Sequence, residues 1–152
     1  MILAYYDKII VRACLLLTGG RSMAHIILFD GECNFCDKSV QFIIKRDPEA
    51  VFSFASQQSA IGQSLLHDYG LPSKLDSFVY IQHHEVYLKS SAALRICKRL
   101  KGFWKLCTIF LLVPRPIRDA VYNYVASHRY QWFGKKDSCA LPTPEIRKRF
   151  LS

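Results

Sequence analysis

Two cysteines three positions apart carry the chemistry that this chain can perform. Cys33 and Cys36 sit in Asp30-Gly31-Glu32-Cys33-Asn34-Phe35-Cys36, directly after the apolar run Ile26-Ile27-Leu28-Phe29 and directly before a helix-like stretch. At a strand-to-helix junction the first sulfur of such a pair lies at the positive end of the helix, beside backbone N–H groups that have no intrahelical partner. That position favours the thiolate over the thiol, and the thiolate is the form that attacks a disulfide. Cys36, one turn into the helix, is placed to close a ring with Cys33. The pair therefore reads as a dithiol redox site, with Cys33 as the attacking sulfur and Cys36 as the resolving one. Two other readings stay open: a coincidental pair of core cysteines, or half of a metal site, since soft thiolates suit zinc or copper(I).

Acidic side chains crowd this motif. Asp30, Glu32 and Asp37 oppose a negative sulfur while the helix end favours it. Asp30 closes the strand leading into the motif, which makes it a candidate proton acceptor for Cys36 during resolution, within reach directly or through one water. The competing reading is a turn-forming aspartate bonded to its own backbone.

The elements that must position these residues follow from periodicity. Ile26 to Phe29 reads as a short buried strand. From Asn34 to Arg46, Cys36, Val40, Ile43 and Ile44 fall on one helical face, and Asp47-Pro48 ends the helix. This register turns Cys36 inward and leaves Cys33, just outside the first turn, reachable. Val51 to Ala55 alternates as a second strand, Ser56 is placed to cap a helix running to about Tyr69, and Gly70 stops it. Phe78 to Ile81 and Val86 to Leu88 flank Gln82-His83-His84-Glu85 as a hairpin. Ser90 or Ser91 then caps a helix over Ala92 to Leu100. Gly102 breaks it, and Phe103 to Leu112 reads as a further helix, buried because it is so apolar. Pro114-Arg115-Pro116 opens one from about Ile117 to Ser127, and the tail from Arg129 is irregular until a short basic end at Pro144 to Phe150. A βαβ unit followed by a hairpin and a helix is the thioredoxin-like order. It predicts an α/β fold with a mixed four-stranded sheet, the first two strands parallel, and extra C-terminal helices covering one side.

Size and composition narrow the classes. A chain of 152 residues, half of it hydrophobic, is one domain with a sizeable core. Residues 25–152 form that domain, and residues 1–24 read as an N-terminal extension outside the fold, with Met23 as an alternative start and a weak signal or membrane-surface anchor as the other reading. No run reaches the roughly 18 apolar residues of a transmembrane helix. The six cysteines are not spaced as a secreted framework, so reduced cytoplasm is the expected compartment. Cys97 and Cys107 read as inert core residues. From Lys89 onward 14 Lys/Arg face only three acids, whereas the first 88 residues hold 7 Lys/Arg against 9 acids. The basic half reads as a solvated surface with a weak anionic-surface contact as the alternative. No nucleic-acid motif accompanies it.

Several motifs together resemble the DCC thiol–disulfide oxidoreductases. These are Asp30-x-x-Cys33-x-x-Cys36, Phe42-x-x-Lys45-Arg46-Asp47, Ser90-Ser91-Ala92-Ala93-Leu94, Val113-Pro114-Arg115-Pro116-Ile117-Arg118-Asp119, Tyr122, Arg129-Tyr130-Gln131-Trp132-Phe133-Gly134 and Cys139. The resemblance spans roughly residues 26–139. It implies a thioredoxin-like fold, exchange of electrons with a disulfide-containing protein or a low-molecular-weight thiol, and no cofactor. One departure from thioredoxins proper is the residue before the third strand. They place a cis-proline there, whereas this chain reads Ser73-Lys74-Leu75-Asp76-Ser77, which leaves room for metal binding. The alternative function is accordingly a metal-binding or metal-transfer module on the same cysteines, with Cys139 as a further ligand. Arg129, Trp132 and Phe133 read as residues that pack the C-terminal segment onto the domain. The five histidines show no metal-ligand spacing among themselves.

Overall fold

The computed structural model describes residues 25–83, 85–135 and 144–151. The expected extension at residues 1–24, His84 and Cys139 lie outside the described residues.

Strand β1 (His25–Phe29) is buried along its whole length, as an apolar strand in the middle of a sheet must be. Helix α1 (Asn34–Arg46) follows, with Cys36, Val40 and Ile43 turned inward. The chain then makes β2 (Ser53–Ser56), α2 (Ala60–Asp68), β3 (Val79–Gln82) and β4 (Glu85–Leu88). The sheet order is β2-β1-β3-β4. β1 and β2 are parallel, and β3 runs antiparallel to both of its neighbours. This is the mixed four-stranded, thioredoxin-like α/β sheet that the order of elements predicts. The period of two along β1 divides the core: Ile27 and Phe29 face Cys36, Val40 and Ile43 of α1, whereas Ile26 and Leu28 face Leu65 and Leu66 of α2.

Local details shift the expected boundaries. Ser59, not Ser56, caps α2, its hydroxyl accepting from Gly62 N at 3.0 Å. Ser56 instead ends β2. Helix α3 (Lys89–Arg99) starts directly after β4 and has no side-chain cap. The hydroxyl of Ser90, one of the two expected caps, instead donates to the Asp119 carboxylate.

The C-terminal half departs further from expectation. Phe103–Leu112 is a 3-10 helix without a buried residue, and Phe103 and Leu112 are 87% and 86% exposed. A run apolar on every side cannot hide all its faces, although it packs on α3 and Trp104 meets Phe42 of α1. Cys97 and Cys107 are likewise half-buried and adjoin one another rather than lying in the core. Helix α4 (Arg115–Phe133) is longer than the expected Ile117 to Ser127. Pro116 sits in its first turn, where the missing N–H costs nothing, and the helix carries on through Arg129 to Gly134, whose φ of 74° ends it. The short helix α5 (Pro144–Arg147) leads into residues that pair with β2: Phe54 N donates to Arg149 O at 2.8 Å and Leu151 N to Phe54 O at 2.7 Å. The outer edge of β2 is thereby covered. Among the described residues, no helix is long and apolar enough to cross a membrane.

Candidate active site

Cys33 is the N-cap of α1, with the extended backbone (φ −102°, ψ 119°) that lets a cap side chain fold back over the first turn. Its Sγ accepts from Cys36 N at 3.4 Å, and its carbonyl accepts from Asp37 N at 3.0 Å. Both cysteines are thiols. Burial pushes the Cys36 thiol well up, and its hydrogen bond to Cys33 and the charge there add to the effect, while the Arg129 cation pulls the other way.

The expected asymmetry in access is not what the fold produces. Cys36 is 2% exposed, as the register predicts, but Cys33 is fully buried as well. The cover comes from the far end of the chain. Gly134 turns residues 133–135 back over the motif, Lys135 bridges to Cys33, and Asn34 Nδ2 donates to Phe133 O at 3.0 Å and Lys135 O at 3.4 Å. The Phe35 and Phe133 rings, 5.0 Å apart, complete the lid. A place outside the first turn predicts a reachable sulfur, but local sequence carries no information about a segment about 100 positions away.

Asp30 is also buried, and its carboxylate accepts from both sides. Oδ1 receives Glu32 N at 3.0 Å and Gln58 Nε2 at 2.8 Å, while Oδ2 receives Arg129 Nη2 at 3.0 Å and the Tyr130 hydroxyl. Burial alone would raise its pKa, but the bonds from Tyr130, Glu32 N and Gln58, with the Arg129 charge, hold it below the usual carboxylate range. The turn-forming aspartate is thus present, and so is an ion pair. Both carboxylate oxygens are taken up by donors, and Oδ2 holds Arg129.

Arg129, expected from sequence to pack the C-terminal segment, also has an electrostatic part. Arg129 is 3% exposed, donates to Asp76 O at 3.0 Å as well as to Asp30, and lies close enough for either cysteine, once ionised, to stabilise its charge. The available signal was Asp30 itself, because a carboxylate at the end of a buried strand needs a counter-charge. Tyr122 closes the neighbourhood. Its hydroxyl accepts from Phe78 N at 3.0 Å, and burial pushes its pKa up to about 12. Among the described residues, no group of three or more His, Cys, Asp or Glu side chains is arranged to hold a metal ion.

A family model described as DCC1-like thiol-disulfide oxidoreductase matches residues 27–135, which takes in both cysteines, Asp30 and Arg129. The chain belongs to this family. It is 54% identical over 127 residues to the uncharacterized protein YuxK of Bacillus subtilis, an alignment covering 83% of this chain and 93% of that one. It is also 37% identical over 118 residues to a chloroplastic DCC family protein of Arabidopsis thaliana, covering 76% and 69% respectively. No solved structure matches the chain. Family membership supports a thiol–disulfide oxidoreductase role at the level of reaction class.

Proposed function

We propose that the chain is an enzyme that exchanges electrons with protein or small-molecule disulfides through Cys33 and Cys36. The observation that carries this reading is the Cys33 sulfur capping α1 and accepting the Cys36 N–H, with Cys36 buried beside it. Backbone N–H groups at a helix start stabilise negative charge on such a sulfur. Cys33 attacks the substrate disulfide and forms a mixed disulfide. Cys36 then gives up its proton and displaces the substrate thiol, leaving a Cys33–Cys36 bond. Asp30 acts as a positioning residue through Arg129, whose cation offsets the charge that moves between the two sulfurs. Cys33 is covered by residues 133–135, so a disulfide that approaches it from that face displaces the segment from Asn34. A cytoplasmic location belongs to this reading and rests on the cysteine usage.

Trapping tests it. With a small disulfide as oxidant, Cys36→Ser is expected to accumulate a mixed disulfide at Cys33, seen by intact-protein mass spectrometry, and Cys33→Ser to lose turnover. Equal, undiminished turnover by both variants would refute the reading.

A further inference from the structure

α3, the 3-10 helix and α4 border a cleft of about 450 Å³ that extends to Phe35 and Cys36 at the start of α1. Its walls are apolar, with Phe78, Leu94, Phe110 and Val125 among them, and Cys36 forms part of the lining. The polar contributions are unusual for such a place. Arg118 and Arg129 both line the cleft, and Arg118 Nε and Nη1 and Arg129 Nε are shielded from solvent without a hydrogen-bond partner. Guanidinium stays charged at any ordinary pH, and shielded N–H donors left unpaired on a cation are costly. Arg129 places its other nitrogens on Asp30 (Nη2) and on the Asp76 carbonyl (Nη1). The carboxylate next to Arg118 in sequence, Asp119, is engaged by Ser90.

An apolar chamber with unsatisfied cationic donors on its wall and a thiol in its lining suits one kind of occupant. We propose that the cleft binds a small aliphatic disulfide carrying a carboxylate, with the hydrocarbon against the apolar walls, the carboxylate on Arg118 and the disulfide end at Cys36. This rests on the redox reading above and names the substrate class for it. The exchange balances internally: the ligand S–S bond breaks as the Cys33–Cys36 S–S bond forms, and the two protons of the cysteine thiols pass to the two ligand sulfurs. Two electrons leave the protein and reduce the ligand to its dithiol.

Binding and redox are tested separately on the full chain. For binding, octanoate is compared with neutral octanamide by calorimetry; neither contains sulfur. Octanoate is expected to bind at least about 10-fold more tightly, Arg118→Gln to abolish that preference and Arg118→Lys to retain part of it. Equal affinity of the two compounds for the unmodified protein, or no octanoate binding, overturns the inference without appeal to any variant. Self-association that closes the cleft, seen by sedimentation, also overturns it. For redox, the reduced protein is mixed with oxidised lipoate or with hydroxyethyl disulfide and its remaining thiols are counted. Lipoate is expected to react at least about 10-fold faster and octanoate to compete with it. If hydroxyethyl disulfide oxidises the pair but octanoate neither binds nor competes, the cleft inference fails and the redox reading survives. If neither disulfide oxidises Cys33 and Cys36, the redox reading fails, and the octanoate preference then supports or overturns the anion site by itself.

Discussion

Arg129 Nη2 stands 3.0 Å from Asp30 Oδ2, and the two side chains are 3% and 4% exposed. An ion pair sealed to this degree ties the end of β1, where the redox motif begins, to the last turns of α4, and so links the cover over Cys33 to the charge beside it.

Removing the anion should therefore be expensive. Asp30→Asn leaves Arg129 buried with only Asp76 and Tyr130 for company. Breaking one partner of a buried pair costs roughly 3–5 kcal/mol. Denaturant unfolding is expected to show a loss of that order, and the double variant Asp30→Asn/Arg129→Gln should recover part of it. A loss below about 1 kcal/mol would mean that water reaches the pair.

Asn34 is the polar latch of the lid, through its bonds to Phe133 O and Lys135 O. A net hydrogen bond contributes about 1 kcal/mol, equivalent to roughly a five-fold change in an opening equilibrium. Asn34→Ala is expected to speed alkylation of Cys33 by iodoacetamide about five-fold, with the site assigned by peptide mass spectrometry. An unchanged rate would show that the Phe35–Phe133 contact holds the lid by itself.

His25 gives the fold an acid-sensitive element. Its Nδ1 is 2.7 Å from the Tyr80 hydroxyl, and Phe52, His83, Arg99 and Asp47 surround it. Burial, with Arg99 and His83 adding repulsion, lowers its pKa from 6.5 to about 4, against a smaller opposing pull from Asp47. Between those values the unfolded chain binds more protons than the native one, so stability falls as pH drops from 6.5 toward 4, by up to about 3 kcal/mol. Asp30 titrates below this window because its pKa is lowered from 3.8. His25→Phe is expected to flatten the slope of stability against pH over the same range, whatever its effect at pH 7.

Gly62 lies where α2 crosses the end of β2. A Cβ there would meet Ser56 O at 1.9 Å, which backbone must move to relieve. Overpacking typically costs 1–3 kcal/mol, and more against rigid backbone. Gly62→Ala is expected to lower stability by about 3 kcal/mol in thermal or denaturant unfolding, despite the better helix propensity of alanine.

The limits of legibility follow from range. The helix over Asn34 to Arg46, with Cys36 inward, was readable because its apolar residues repeat at the helical period, and the observed bounds agree with it. Local pattern misleads where neighbours along the chain carry no information about neighbours in space. Phe103 to Leu112 has the composition of a core helix, yet whether a layer exists to cover it is not a local property. The tail from Arg129 lacks a strong helical period, but α4 runs through it, with Arg129 and Tyr130 both bonded to Asp30.

Local pattern by itself determined the order of elements, the parallel start of the sheet and the placing of two sulfurs at the head of α1, because each depends on steric and hydrogen-bonding rules acting over a few residues. Only the tertiary structure decided that Cys33 is covered by residues 133–135, that Asp30 pairs with Arg129, and that Cys36 lines an apolar cleft with Arg118. Those are pairings between residues up to about 100 positions apart, selected by burial of charge and apolar surface once the whole chain has closed.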